Sequence, residues 1–184
     1  MKQGNIVTYV LRLSLTLLAI TAVVALALAG VNGITADRIA QIKADKKQQA
    51  MEEVLPGAQN LESVSFTDAT GMVKNVYASG AGYVVEVAPA GFGGTISMMV
   101  GIKADGSVNG ISIVSHTETA GLGSVAAANT SAGEAFRGQF AGLSGALAVD
   151  KDGGEIDSIT SATITSRAVT AGVNAALESV AGLG

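Results

Sequence analysis

Cysteine is absent from the 184-residue sequence, and so is tryptophan. The absence of cysteine excludes disulfides, cysteine-based zinc sites and iron–sulfur clusters ligated by this chain. It does not decide the cellular compartment, because exported domains also fold without cysteine. The sequence has only 2 prolines but 24 glycines, so glycine is predicted to build its turns. Aromatic residues make up only 4%, which leaves valine, isoleucine, leucine and alanine to fill the core.

The charge is also small. The formal net charge is -4 at pH 7, and the sequence contains no long basic or acidic run. This argues against a nucleic-acid-binding protein, because phosphate backbones are bound by clustered lysines and arginines. Hydrophobic residues make up 48%, and the excess lies near the N-terminus. The length suits one modest domain with appendages.

One uncharged, apolar run occupies residues 13–36. About 20 helical residues, each rising ~1.5 Å, cross the ~30 Å hydrocarbon layer of a membrane, so this run is long enough to span it. The alternative is a cleaved signal peptide, with Lys2 and Arg12 as its charged start and ALALAG as the small residues for cleavage. We favour an uncleaved single span, because the run is long for a signal core. Residues 1–36 are therefore predicted to form an N-terminal segment with a transmembrane helix.

The charges that flank the apolar run give little information on its orientation. Two basic residues precede it, and four basic and two acidic residues follow it: Lys2 and Arg12 before, and Asp37, Arg38, Lys43, Asp45, Lys46 and Lys47 after. This count slightly opposes a cytoplasmic N-terminus. Apolar residues recur near helical spacing among these charges until Pro56-Gly57. Residues 37–57 are therefore predicted to form a helical stalk.

The remaining residues, 58–184, are predicted to form one α+β domain, in which helices pack against a mainly antiparallel sheet. Four strand-like runs, separated by turn signals rich in glycine, predict two hairpins: residues 72–79, 82–89, 94–102 and 108–116. Three later segments predict, in order, a helix broken at Gly133, one or two short strands, and an amphipathic helix: residues 124–142, 146–159 and 166–182.

A stretch rich in hydroxyl groups, DSITSATIT, occupies residues 157–165, directly before the last predicted helix. Helix physics alone favours a capping role, in which Thr163, Thr165 or Ser166 accepts a bond from a free backbone amide. The same geometry also makes an anion site, because free amides and the positive end of the helix dipole attract phosphate. A hydroxyl group at this position could also be esterified by phosphate.

The second stretch that could carry chemistry, HTETAGLGS, occupies residues 116–124, after a predicted strand. Gly121 and Gly123 would let the backbone approach a flat ligand, or would simply form a turn. The stretch also has one apolar, one acidic and one hydroxyl side chain near these glycines: Leu122, Glu118 and Thr119. The sequence shows no metal-like cluster, no G-x-S-x-G and no phosphate-loop motif.

Together, the two stretches resemble the FMN-binding domain family of membrane redox pumps. The attachment pattern of that family is Asp, two variable residues, Ser or Thr, usually Gly, then Ala-Thr. It is matched here at four positions, with serine in place of the usual glycine: Asp157, Thr160, Ala162 and Thr163, with Ser161. The second pattern, H-x-E-T-P-G-L-G, is matched with alanine in place of proline: His116, Glu118, Thr119, Gly121, Leu122 and Gly123, with Ala120.

The layout of a single span, a stalk and one domain is most similar to the G subunits of Rnf-type complexes, and the resemblance covers nearly the whole chain. Those complexes couple electron flow between ferredoxin and NAD to sodium or proton movement across a membrane. The C-type subunits of sodium-pumping NADH:quinone oxidoreductases share the domain but are usually longer, so they rank second. A membrane-anchored flavin-binding sensor or regulator, and a pilin-like structural protein, are the remaining alternatives.

The resemblance implies that Thr163 carries FMN through a phosphodiester to its side-chain oxygen, made by a separate flavin transferase. The loop after His116 would line the flavin ring, with Leu122 against it and Thr119 bonding its polar edge, while His116 holds the loop. The implied cofactor-binding residues are Asp157, Thr160, Ser161, Ala162, Thr163, Thr165, Glu118, Thr119, Gly121, Leu122 and Gly123. No catalytic residue and no metal ligand is expected.

As the resemblance implies, the chain would carry electrons as one subunit of a larger translocase and catalyse nothing alone. Its expected partners are the other membrane and peripheral subunits, the flavin transferase during maturation, and membrane lipid, but no nucleic acid. The expected location is the cell membrane, with one span and the soluble domain on the outer face.

Overall fold

A computed structural model describes residues 3–58 and 60–183, and side chains from residue 6 onward. The chain forms two compact units, Met1–Ala44 and Asp45–Gly184, called here the first and second unit. Helix α1 extends over Gln3–Val54. It is long and apolar enough to cross a membrane, and none of its most apolar window is buried. The length and composition of this helix support the predicted single-pass anchor.

Local hydrogen bonds satisfy the threonine hydroxyls of α1, and a proline marks its end. The hydroxyls of Thr16 and Thr21 donate to backbone carbonyls one turn earlier, at 2.8 Å and 3.0 Å, so neither needs water. The helix ends at Val54, two residues before Pro56. A proline disfavours helical geometry in the residue before it, which explains this end.

Five antiparallel strands follow, and each pairs with its neighbour in chain order. Their bounds are Glu62–Val64 (β1), Val73–Ser79 (β2), Gly82–Val87 (β3), Ser97–Lys103 (β4) and Val108–Ser115 (β5). The four predicted strands and their antiparallel pairing are confirmed. Strand β1 was not predicted, because three residues are too few to show an alternating pattern.

After the sheet begins, the described chain forms two short 3-10 turns, Gly123–Ala127 and Asp150–Asp152, and two α-helices, α2 (Ser131–Gly138) and α3 (Thr163–Ala181). The predicted break at Gly133 is wrong, because Gly133 lies inside α2. The break falls earlier, at Thr130, whose side chain caps α2 by accepting from the Gly133 amide at 3.3 Å. Gly133 is needed there because a Cβ would overlap the carbonyl oxygens of Val125 and Ala128.

The short strands predicted within residues 146–159 do not form. That prediction is wrong. Only an isolated parallel bridge joins Val149 to Ile156. Between them the chain turns tightly, because Gly153 adopts a φ of 80° and the amide of Gly154 returns to the carbonyl of Val149 at 2.9 Å. A pair of glycines therefore closes a turn where the apolar alternation suggested extended chain.

The main core lies between α3, α2 and one face of the sheet. Helix α3 packs against β2, β3 and β4, and its predicted apolar side is buried: Val169, Val173, Ala176, Leu177 and Val180. Phe136 and Phe140 meet edge to face, with ring centroids 5.7 Å apart, and fill the space near α2.

The opposite face of the sheet is covered by the last turns of α1. Ala50, Val54 and Leu55 form a second buried cluster with Val84 and Met99 of the strands. This covering explains why β3 and β4 are buried almost throughout, since both faces of the sheet are packed.

Polar contacts support this packing. Lys47 donates to Glu86 at 2.6 Å, and Ser112 donates to Glu53 at 2.7 Å. Burial lowers the pKa of Lys47, but the hydrogen bonds and charge interactions with Glu86 and Tyr77 together outweigh it, so the pKa is raised. Asn109 donates its side-chain amide to the carbonyl of Val54 at 2.8 Å, which satisfies an open carbonyl at the helix end.

Gly101 on β4 permits the close approach of α1, because a Cβ there would overlap the backbone carbonyl of Val54. We expect Gly101→Ala to lower the free energy of unfolding by about 1–3 kcal/mol, the range of overpacked cores. The measurement is urea unfolding of the full chain in detergent. Gly110→Ala is the matched control, since its Cβ would reach only the Cα of Val54, at 4.0 Å. Equal losses in the two variants would contradict this packing.

Candidate functional site

A cavity of about 360 Å³ brings the two sequence stretches together. We call it the α3 cavity. Its walls include predicted cofactor-binding residues from both stretches: Glu118, Thr119, Leu122, Gly123, Ser161, Ala162, Thr163 and Thr165. The remaining walls are Phe92 and Ile164, which the sequence analysis did not single out. Two stretches about forty residues apart in the chain therefore form one concave site.

Three of the predicted residues lie elsewhere. Asp157, Thr160 and Gly121 line a neighbouring depression on the flank of α2. The side chains of Asp157 and Thr160 are exposed there. The structure thus divides the attachment pattern, with its first half on the outer surface and its second half in the α3 cavity.

Side chains of neighbouring elements hold the segment before α3. The side-chain amide of Gln139 pairs with both backbone groups of Asp157, at 2.7 Å to the amide and 3.2 Å to the carbonyl. The carboxylate of Asp150 accepts from the Ser158 amide at 3.0 Å. Hydrogen bonding from Ser158, and then from Lys151, lowers the pKa of Asp150 well below its usual range. The approach to α3 is therefore fixed from two sides.

The hydroxyl groups at the start of α3 do not cap the helix, contrary to the capping interpretation. The capping position is Ala162, which has no side-chain acceptor. Ser166 and Thr165 lie inside the helix instead, and their hydroxyls are used elsewhere. Ser166 donates to the Ala162 carbonyl at 3.1 Å and accepts from the Ile159 amide at 3.0 Å.

Thr163 is the first residue of α3, and it is half-buried in the wall of the α3 cavity. Its hydroxyl makes no hydrogen bond within the part of the chain that the structure describes. The amides of Thr163, Ile164 and Thr165 likewise have no acceptor among the described residues, whereas the Ser166 amide bonds to Ala162 at 3.0 Å. Open amides at a helix start favour a phosphate group, so this corner fits a phosphate ester on Thr163.

Ser161 adopts a φ of 62°, in the left-handed region. A side chain in that region costs roughly 1–2 kcal/mol, which gives a physical reason for the glycine that the family pattern usually has there. The corner between Thr160 and Ala162 therefore needs a left-handed residue, whichever residue type occupies it.

We expect Ser161→Gly to raise the free energy of unfolding by about 0.5–1 kcal/mol, because relief of the left-handed strain exceeds the entropic cost of glycine. Urea unfolding of the full chain in detergent measures the change. Ser158→Gly is the control, because Ser158 has no positive φ and should gain nothing. A destabilised Ser161→Gly protein would show that the left-handed conformation carries no strain.

Glu118 joins two walls of the α3 cavity. Its side chain is only 8% exposed. One carboxylate oxygen accepts from the Gly93 amide at 2.8 Å, and the other accepts from the Thr165 hydroxyl. Its own backbone amide donates to Nδ1 of His116 at 3.2 Å, so His116 holds the loop, as expected. Gly123 leaves room for this arrangement, because a Cβ would overlap the Glu118 carboxylate and the Thr165 hydroxyl.

Exposed large hydrophobic side chains of the second unit occur only around the α3 cavity, among its described residues. They are Phe92, Ile164 and Leu122, with 69%, 51% and 41% of their surface exposed, and all three line the cavity. The other exposed large hydrophobics of the described chain belong to α1. No cluster of three or more metal-ligating side chains occurs among residues 3–58 and 60–183. The cavity therefore suits an apolar, anchored organic group better than an ion.

Comparison with known proteins matches both parts of the chain. The FMN-binding domain family matches residues 91–178, and the RnfG N-terminal region matches residues 1–54. The G subunit of the Na⁺-translocating ferredoxin:NAD⁺ oxidoreductase complex of Acetobacterium woodii is 36% identical over 193 residues, which cover 92% of this chain and 90% of the relative. The chain belongs to the G-subunit family of ion-translocating oxidoreductase complexes.

Two further members of the G-subunit family agree with this assignment. The G subunit of the ion-translocating oxidoreductase complex of Methanosarcina acetivorans is 35% identical over 176 residues, 90% of this chain and 91% of the relative. The G subunit of the proton-translocating ferredoxin:NAD⁺ oxidoreductase complex of Clostridium ljungdahlii is 48% identical over 102 residues, 53% of this chain and 52% of the relative. The match to the FMN-binding domain begins at Gly91 and includes every residue that lines the α3 cavity.

Proposed function

We propose that this protein is the electron-transfer subunit that carries covalently bound FMN in a membrane complex. The complex would couple ferredoxin:NAD oxidoreduction to sodium or proton movement. The observation that carries the proposal is the Thr163 hydroxyl, which has no partner in the described chain, lies beside three open amides and belongs to an apolar cavity. Relatives named for ferredoxin:NAD oxidoreductase complexes, with sodium in one name and protons in another, support the reaction class.

The described residues fit an FMN group. The phosphodiester would join the Thr163 oxygen to phosphorus with loss of the hydroxyl proton, so the flavin transferase must supply FMN with a leaving group on phosphorus. The amides at the start of α3 would hold the phosphate oxygens. Leu122 would contact the ring and Thr119 would bond its polar edge. When bound, FMN supplies reversible electron uptake and release.

The other roles of the chain would be to retain the cofactor and to position it. A covalent link at Thr163 prevents loss of the cofactor, and it fixes the phosphate end while the mouth of the cavity stays open. An open mouth suits electron exchange with protein partners. No acid, base or nucleophile for a small substrate is required, and we assign none. Asp157 and Thr160, exposed beside α2, would belong to the surface that the transferase reads.

For the membrane arrangement, we propose residues 1–36 as the membrane segment, residues 37–57 as a stalk and residues 58–184 as the FMN-binding domain. Helix α1 supports a single span by its length and composition. We place the domain on the outer face of the cell membrane, where a lost flavin would not be replaced and a covalent bond has its clearest use. The partners would be the other subunits of the complex, membrane lipid, and the transferase during maturation.

Mass mapping tests the proposal. The full chain is produced with a flavin transferase, and its denatured gel band is inspected for flavin fluorescence under ultraviolet light. Trypsin should then release residues 152–167 with a mass increase equal to FMN less one water. If the protein is colourless and this peptide is unmodified, the proposed electron-carrier function is wrong.

A further inference from the structure

Phe92 is the most exposed large hydrophobic side chain of the described second unit outside α1. It lies in the segment between β3 and β4, residues 88–96, which we call the Phe92 loop. A single exposed aromatic side chain is ordinary on a protein surface. This one borders the α3 cavity together with Leu122 and Ile164. The place of Phe92 at the cavity, rather than its exposure, therefore indicates a contact with a ligand.

The backbone of the Phe92 loop is firmly held although the side chain is free of packing. Gly91 donates to the Gly94 carbonyl at 2.8 Å, and Gly93 donates to the Glu118 carboxylate at 2.8 Å. The Thr117 hydroxyl donates to the Gly93 carbonyl at 2.9 Å. An aromatic side chain on a fixed backbone loses little freedom on binding, which is the condition for a preorganised contact.

Glycines are required on both sides of Phe92. A Cβ on Gly93 would overlap the Thr117 carbonyl, and a Cβ on Gly91 would overlap the Glu118 carboxylate. Gly94 adopts a φ of 144°, which side-chain-bearing residues rarely do. The loop can therefore lie directly on the end of β5, and Phe92 is the residue that it presents at the cavity.

One carboxylate links this loop to the attachment point. Glu118 bonds the Phe92 loop through Gly93 and bonds α3 through Thr165, two residues after Thr163. Glu118 therefore fixes the position of the Phe92 loop relative to the start of α3, where the proposed attachment oxygen of Thr163 lies. Glu118 is a positioning residue for Phe92, and its own side chain is occupied by these two bonds.

We infer that Phe92 contacts the ring system of the FMN carried by Thr163 and shields part of that ring from solvent. The inference rests on the proposed function, and it adds a contact from outside the two sequence stretches. Aromatic rings attract one another in offset or edge-to-face arrangements, so the flat aromatic ring of a flavin gains from a fixed aromatic partner.

Flavin fluorescence of the full chain, matured with a flavin transferase and kept in detergent, tests the inference. The sequence has no tryptophan, so Phe92→Trp introduces the only one. Tryptophan in contact with an excited flavin quenches its emission by electron transfer. The emission quotient is the flavin emission of the intact protein divided by its emission after complete proteolysis, both per flavin. We expect this quotient to fall severalfold in Phe92→Trp. The quotient in the unchanged chain is the reference.

Tyr83→Trp is the matched control. Tyr83 lies in another cavity with Leu177 and Val180, near the C-terminal end of α3. Helix α3 has 19 residues, and a helix of that length extends roughly 27 Å, so this tryptophan is far from Thr163. Its emission quotient should match that of the unchanged chain.

Phe92→Ala provides a second readout that does not depend on tryptophan. It should increase quenching of the flavin by iodide, because the ring loses its cover, while the thermal unfolding midpoint stays unchanged. The contact is overturned if the quotient is unchanged in Phe92→Trp and iodide access is unchanged in Phe92→Ala, while FMN is present on residues 152–167. That outcome leaves the proposed function standing. Absence of FMN on that peptide in the unchanged chain overturns both.

Discussion

Thr163→Ala is expected to abolish covalent flavin and to leave the fold unchanged. The side-chain oxygen is the proposed attachment atom, and within the described chain it makes no hydrogen bond whose loss would be felt. Alanine also has a higher helix propensity than threonine, so we expect the free energy of unfolding to change by no more than about 0.5 kcal/mol. In-gel fluorescence and the mass of residues 152–167 measure the flavin, and urea unfolding measures the fold.

Matched hydroxyl variants make this result specific. Thr163→Ser keeps an oxygen at the same place and should retain at least part of the flavin. Thr165→Ala removes a hydroxyl that already donates to Glu118, so flavin should remain attached while stability falls. Covalent flavin on the Thr163→Ala protein would falsify the site assignment, even if the complex still transferred electrons.

Glu118→Ala is expected to have the largest effect on stability. The substitution leaves the Gly93 amide and the Thr165 hydroxyl without their acceptor in a buried corner. Each unsatisfied buried donor costs about 1–3 kcal/mol, so the loss of the acceptor for both donors should lower the free energy of unfolding by about 2–6 kcal/mol. Urea unfolding of the full chain without flavin measures this, because a bound cofactor would add its own stabilisation.

Two controls separate the role of Glu118 from loss of charge. Glu118→Gln keeps the volume and one acceptor oxygen, so it should lose only part of the stability. Glu178→Ala removes an exposed carboxylate from α3 and should change stability by no more than about 0.5 kcal/mol. If Glu118→Ala proves as stable as Glu178→Ala, the carboxylate does not join the two walls.

Much of the fold could be predicted because each element has a local cause. Strands β2 to β5 alternate or are apolar between glycine turns, and α3 repeats apolar residues at helical spacing. The errors arise where the backbone packing of particular glycines, a few residues from their partners, decides the outcome. Gly133 breaks a helix by propensity, but here it lets α2 lie against two carbonyl oxygens from another segment. A turn replaces a predicted strand near Gly153, because Gly153 adopts a positive φ and the Gly154 amide donates to the Val149 carbonyl.

The site could be predicted only as far as its contiguous patterns reach. The two stretches gave Thr163 and Leu122, which the structure brings into one cavity. Phe92 and Ile164 were missed, because the only signal was one aromatic residue between glycines and one isoleucine among hydroxyls. Glu118 was predicted as a cofactor contact, yet its carboxylate is occupied by Gly93 and Thr165. Such pairings join residues far apart in sequence, so no local pattern contains them.

The pairing between Gln139 and the backbone of Asp157 bears on the biogenesis of the protein. Because both backbone groups of Asp157 are occupied, the proposed flavin transferase would meet a hydrogen-bonded corner rather than a free peptide if it acted on the finished domain. Such an enzyme must fit that corner in shape, or must act while the nascent chain is still open. In the second case, the proposed attachment of the cofactor would have to precede the closing of this corner against α2.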